Sequence, residues 1–211
     1  MDIICLSHLR WNFVYQRPQH LMSRLAQQFR VFYFEEPVFD SDTPYLDTSF
    51  TPEKVWSVTP HLPPNLTESA IVTYQQKLLV QLFQHFEIKD YISWYYTPMA
   101  ISITKELPDP AFVVYDCMDE LSAFKNAPDS IKEKEKESML QADIVFTGGP
   151  SLYEAKKNSH KNIFAFPSSI DKDHFAKARL EGADPEDQEM IPHPRIGFFG
   201  VIDERMNIAL I

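Results

Sequence analysis

The chain has 211 residues, 44% of them hydrophobic and 24% charged, with a formal net charge of −10. That composition fits a globular protein with a sizeable core and excludes disorder and collagen-like structure. A chain this acidic is a poor match for a polyanion, so nucleic acid is not an expected partner.

No apolar run approaches the roughly 20 residues a membrane span needs, and the start, Met1 to Ser7, lacks the basic segment of a secretory leader. Two cysteines, Cys5 and Cys117, make no disulfide framework and read as reduced thiols in a cytoplasmic protein. The charge is uneven. Residues 1–34 hold Arg10, Arg17, Arg24 and Arg30 against Asp2 alone, a net +3, which leaves −13 for the rest. This basic island is either a helix decorated with arginine or a place for an anionic ligand.

Short β-rich runs alternate with helical periods along the chain. Ile3 to Leu6 reads as a buried strand. Pro18 suits a first helical turn, followed by Leu21, Leu25 and Phe29 at helical spacing. Val31 to Phe34 is the next strand. Residues 36–67 read as an irregular excursion holding one strand at Val55 to Val58. Thr67 caps a helix from Glu68 to Phe86. Tyr91 to Tyr96 is a strand, Pro98 opens a short helix, and Phe112 to Tyr115 is a strand ending at Asp116. Ser130 and Glu133 form the pattern of a capping box opening a helix to about Gln141. Asp143 to Thr147 is a strand, and Ser151 with Glu154 is a second capping-box pattern. Asn162 to Phe166 is another strand. Residues 177–194 read as a linker, Arg195 to Gly200 as a new strand, and a helix is expected to begin near Glu204.

Strands alternating with helices imply an α/β fold: a Rossmann-like, doubly wound, mostly parallel sheet covered on both faces. Ligands of such sheets bind beyond the carboxyl ends of the strands. The loops to search are therefore those after Leu6, Tyr96, Tyr115, Thr147 and Phe199.

Several chemistries are absent from the sequence. It has no G-x-x-x-x-G-K-[ST], no G-x-G-x-x-G and no G-x-S-x-G, and with five glycines none is hidden in variant form. It has no H-E-x-x-H and no C-x-x-C, so no metal site is expected. The loop Ser7 to His20 instead gathers two imidazoles, two guanidiniums and three aromatics. Arginine forks match phosphate or carboxylate oxygens, and aromatic faces suit sugar rings or bases. His8, Arg10 and Arg17 are candidate ligand contacts. Trp11 is a candidate too, although it, Phe13 and Tyr15 can equally anchor the loop on the core. Asp116, Asp119 and Glu120 put three carboxylates at another strand end, where they can hold sugar hydroxyls or act as a general base. Asp119 and Glu120 can equally cap a helix. Gly148-Gly149 offers either a ligand approach to backbone N–H groups or a tight turn.

Phe166-Pro167-Ser168-Ser169-Ile170-Asp171 with Phe175 resembles the P-N-G-V-D…F signature of GT-B glycosyltransferases. Gly200 to Met206 with Leu210-Ile211 is similar to the G-R-L…E-K-G…L-I run that opens their C-terminal domain. Asp143 to Thr147 resembles the A-D-x-V-x-x-x-S strand before both. Ser7 to Trp11 and Arg17 to Leu21 look like a bacterial, retaining, family-4-type subgroup. Three features depart from the pattern: Val201 stands for an arginine, Ser168-Ser169 for Asn-Gly, and the first loop is not glycine-rich.

The resemblance implies the N-terminal half of a GT-B fold. It implies a Rossmann-like acceptor domain over 1–176, a linker over 177–194, and the first strand and helix start of a donor domain over 195–211. It also implies transfer of a sugar from a nucleotide-sugar donor, a co-substrate rather than a cofactor, to a carbohydrate or lipid-linked acceptor, with no metal. Polysaccharide or glycoconjugate synthesis is the expected setting, in the cytoplasm or at the inner face of the membrane. Arg205, Glu204 and Gly200 match donor-phosphate positions, and Asp116 becomes the expected catalytic group, orienting the acceptor. The chain alone is expected to transfer no sugar. A non-catalytic sugar- or nucleotide-binding module and a nucleotide-sugar epimerase are the alternatives.

Overall fold

The computed structural model describes residues 1–125, 127–180, 182, 184–198 and 206–210. Contacts divide the chain into two units, Met1–Ser169 and Ile170–Ile211.

The first unit is built on one eight-stranded sheet: β1 (Asp2–Leu6), β2 (Arg30–Phe34), β3 (Tyr45–Phe50), β4 (Val55–His61), β5 (Tyr91–Tyr95), β6 (Phe112–Cys117), β7 (Ile144–Thr147) and β8 (Ile163–Ala165). Their order is β3-β4-β2-β1-β5-β6-β7-β8, and every pair is parallel except β3 with β4. Successive strands therefore run outward from β1 in opposite directions, and the carboxyl ends of β1, β2 and β5 form the switch point of the sheet.

The helices are α1 (Arg17–Leu25), α2 (Glu68–His85), α3 (Ile131–Gln141) and α4 (Pro150–Lys156). Ile4, Leu6, Phe32, Phe34, Tyr91, Tyr95 and Val145 on one face of the sheet pack with Leu79, Leu82 and Phe83 of α2, Met139 of α3 and Leu152 of α4. Ile3, Cys5, Val31 and Tyr33 on the other face pack with Met22 of α1. The central strands read as unbroken apolar runs because both of their faces are buried. Helices α2, α3 and α4 connect strands that step in one direction, and right-handed crossovers put all three on one face. The expected covering of both faces thus holds over β1 and β2. On the α1 side of β5 to β8, Trp94, Phe146 and Phe166 form an aromatic row.

Three local expectations are corrected. The 36–67 segment is not mainly irregular: β3 pairs along β4, joined by a turn in which Lys54 has φ 66°. β3 carries the solvated edge, with Leu46 its half-buried member, so it lacks an alternating apolar signal. Ser130 makes no side-chain cap to α3 and Glu133 pairs with Lys136. Helix α4 starts at Pro150, with Gly149 at the cap position, so Ser151 lies inside it and Glu154 pairs with Lys157. Thr67 does cap α2, accepting from the Ala70 N–H at 3.3 Å.

In the second unit, α5 (Lys172–Ala176) is capped by Asp171, whose carboxylate accepts from the His174 N–H. Residues 195–198 are not a strand, and residues 208–210 form a 3-10 turn. Phe199, Gly200 and the expected helix start near Glu204 lie outside the described residues.

Candidate functional site

Two loops and a short helical turn meet at the carboxyl ends of β1, β5 and β6. The loop after β1 is held by Gln19, a fully buried residue of α1. Its side-chain amide donates to the carbonyls of Arg10, Trp11 and Val14 at 3.1, 3.1 and 3.2 Å. Its amide oxygen accepts from the Gln16 N–H at 3.0 Å. The loop is therefore preorganised, with Phe13, Val14 and Tyr15 turned to solvent. Ser7 is buried at its root, where its hydroxyl accepts from the Tyr33 hydroxyl and the Leu9 N–H.

Each predicted site residue of this loop has a definite place. Arg10 is engaged within the protein: its guanidinium donates to Glu35 at 2.9 Å and to the carbonyls of Glu36 and Pro37. Glu35 is buried and also accepts from the Trp11 N–H, Ser57 and Thr59. Trp11 is 5% exposed and meets the Tyr33 ring edge-on, so it anchors the loop on the core and offers no face to a ligand.

Arg17 opens α1 and is buried against Asp116 of β6. Its Nε lies 3.0 and 3.1 Å from the two carboxylate oxygens, and Nη2 lies 2.8 Å from Oδ1. Nη1 donates to the carbonyl of Phe166, and the guanidinium sits over the Phe166 ring. Asp116 lies inside the strand rather than just after it, and it is fully buried. Burial pushes its carboxyl above the ordinary carboxylate range, against the pull of Arg17 and of the Tyr96 hydroxyl and Trp94 indole that face it. The pair joins β6, α1 and the end of β8; Asp116 is closed to any bound molecule.

His8 follows Ser7 and is half-buried. Burial lowers its pKa, partly opposed by the nearby Asp119 carboxylate and the Tyr96 backbone. Its ring is therefore neutral near pH 7, with Nδ1 buried and unpartnered among the described residues. Asp119 is exposed beside it. Glu120 points the other way, to Lys156 at 2.9 Å and to the Ser122 hydroxyl. These two partners outweigh partial burial and hold its carboxyl below its usual range. Lys156 also donates to both oxygens of Glu135, which accepts from the Tyr115 hydroxyl as well. Gly148 lets the loop after β6 come this close, since a Cβ there would lie 2.2 Å from the Met118 carbonyl oxygen. The approach expected of a ligand at Gly148 is thus made by the protein's own backbone.

Next to Ser7 and His8, a cleft of about 290 Å³ opens at the switch point. Its floor is the ends of β1 and β2, Leu6 and Phe34. One wall is Glu68, Ile71, Val72 and Gln75 of α2. The other is the turn Thr97 to Ile103, in which Thr97 caps by accepting from the Met99 N–H. Pro37, Phe39 and Pro128 complete the mouth. Of the five loops singled out in the sequence, those after Leu6 and Tyr96 line this cleft, the one after Tyr115 reaches it only through Pro128, and the one after Thr147 does not; Glu36, Glu68 and Gln75 were missed. Helix α2 connects β4 to β5, so its first turns lie over the switch point, a relation that depends on strand order. Gly200, Glu204 and Arg205 lie outside the described residues. Among the described residues no group of acidic, histidine and cysteine side chains is arranged to hold a metal ion, and no helix is long and apolar enough to cross a membrane.

No family model and no curated protein matches the sequence. Solved structures do match in fold. The sucrose-phosphate synthase of Thermosynechococcus elongatus superposes with a TM-score of 0.58 at 10% identity, covering 85% of this chain and 52% of its own. The α,α-trehalose 6-phosphate synthase of Burkholderia multivorans gives 0.54 at 12% identity, covering 84% and 51%. An E. coli trehalose-6-phosphate structure bound with UDP-2-fluoro glucose gives 0.56 at 10% identity, covering 88% and 52%. The chain spans about half the length of these structures. At these identities the likeness is one of fold, and it agrees with the resemblance to GT-B glycosyltransferases: the chain has the α/β architecture of one half of such an enzyme.

Proposed function

We propose that this chain is the acceptor-binding half of a glycosyltransferase that uses a nucleotide-sugar donor. The observation that carries the proposal is the open, largely apolar cleft at the switch point, lined by Ser7 at the end of β1, the residue before His8. Its place in a fold shared with sugar-phosphate synthases supports the reading.

In this reading the acceptor lies in the cleft with its reacting hydroxyl at the rim. The neutral imidazole of His8 accepts a hydrogen bond from that hydroxyl and aligns it, since a neutral ring nitrogen is an acceptor where an imidazolium is not. Asp119 holds a second hydroxyl. Asp116 acts through Arg17: the pair fixes the start of α1, and with it the loop that carries His8. The donor belongs to residues that include Gly200, Glu204 and Arg205. Positive charge there stabilises the departing diphosphate, which is where negative charge grows in the transition state.

The test is nucleotide-sugar binding and turnover by the full gene product. Diphosphate-dependent binding, lost on Arg205→Ala and retained in His8→Ala, with transfer impaired in both, supports the division of labour. Absence of any nucleotide-sugar binding overturns it. Consumption of the donor without an acceptor, yielding an epimerised sugar, selects the epimerase reading instead.

A further inference from the structure

Resting on the proposed acceptor role, the cleft's own chemistry narrows the acceptor class. Its lining is dominated by apolar groups: Leu6, Phe34, Ile71, Val72, Met99 and Ile103. Its ionisable members are three carboxylates, Glu35, Glu36 and Glu68. Among the described residues no lysine, arginine or histidine lines it.

The nearest cation is Arg10, and its donors are already turned to Glu35 and to the carbonyls of Glu36 and Pro37. Glu35 is likewise saturated by four donors. That leaves Glu36 and Glu68 as hydrogen-bond acceptors facing the cleft. Glu36 reaches solvent at the mouth, yet desolvation by the surrounding protein raises its pKa, with Arg10 opposing. An added anion would meet these carboxylates and be repelled. A phosphate in such a place has no cation to neutralise it, and the Ala70 N–H in the first turn of α2 is already taken by Thr67.

We propose that the cleft takes an uncharged acceptor, a hydroxyl-bearing glycoside with an apolar group beside the sugar, and rejects phosphorylated sugars. Hydroxyls donate to Glu36 and Glu68, while the apolar group rests on Ile71, Val72 and Met99. A carboxylate that accepts from a neutral hydroxyl keeps its charge without meeting another.

The test is calorimetric titration of the protein with phenyl β-glucoside and with glucose 6-phosphate. Each is repeated on Ile71→Trp, which fills the cleft from α2, and on Met99→Trp, which fills it from the opposite wall should the first variant fold poorly. The proposal predicts at least roughly tenfold tighter binding of the aryl glucoside. It also predicts loss of that binding in either filled variant and gain of glucose 6-phosphate affinity in Glu36→Gln/Glu68→Gln. Preference for glucose 6-phosphate, abolished by the filled variants, overturns the neutral-acceptor assignment and leaves the acceptor role standing. Binding of either sugar that ignores both filled variants overturns the acceptor role itself.

Discussion

Arg17 and Asp116 stand 99 residues apart in the chain and meet as a buried pair, the guanidinium Nε bridging both carboxylate oxygens. The pair is a structural joint, since Arg17 also donates to Phe166 and so ties β6 and the end of β8 to α1. Removing one partner leaves a buried uncompensated charge. Arg17→Met and Asp116→Asn are each expected to lower stability by about 3–5 kcal/mol in urea unfolding. The double change Arg17→Met/Asp116→Leu should recover most of that loss. If the single changes cost under about 1 kcal/mol, the pair does not hold the unit together.

Gly148 and Gly149 are adjacent and should respond in opposite ways. A Cβ at Gly148 meets the Met118 carbonyl oxygen at 2.2 Å, whereas one at Gly149 meets nothing within 4 Å. Gly148→Ala is expected to destabilise by about 1–3 kcal/mol, and Gly149→Ala to stay within about 0.5 kcal/mol of wild type. Thermal unfolding of the two variants side by side checks this, and equal effects would contradict the close approach.

The sequence shows the strands and helices clearly where both faces of a strand or one stripe of a helix are buried. Ile3 to Leu6, Val31 to Phe34 and Glu68 to His85 are of this kind. It hides β3, whose outward edge leaves few apolar residues to count. It also hides the meaning of its polar residues. Arg10, Arg17 and Asp116 stand at strand ends, as a ligand-binding group would, yet each is consumed by a partner that only the strand order supplies. Ser130 and Ser151 satisfy a spacing rule but not the geometry behind it. Gln19 and Lys156 escape notice because nothing local distinguishes a glutamine or lysine that the fold buries from one it leaves in water.

The lowered pKa of His8 has a definite sign in stability. Its unfolded value is near 6.5 and its folded value is lower, because burial favours the neutral ring. Below pH 6.5 the unfolded chain takes up the proton more readily, so this group's contribution is intact above that pH and is lost as pH falls through the folded value. His8→Gln should therefore show a shallower loss of unfolding free energy than wild type as pH falls below 6.5. Parallel curves would mean that the ring titrates alike in both states.

Both thiols should be inert in the folded protein. Burial pushes Cys117 up to about 12 and Cys5 well above its usual value, and the thiolate is the reactive form. Iodoacetamide at about pH 8 is expected to leave both unmodified in native protein and to label both in urea. Rapid labelling of native Cys117 would show the loop after β6 to be open rather than held by Gly148 and the Glu120–Lys156 pair.

The acceptor cleft itself is open to direct mapping. Amide chemical shifts of the protein can be followed while phenyl β-glucoside is added. Changes centred on Ser7, His8, Gln75 and Thr97, absent in Ile71→Trp, are the expected result. Changes that fall elsewhere, or that persist unaltered when the substituted indole fills the cleft, would contradict the placement of the acceptor at the switch point.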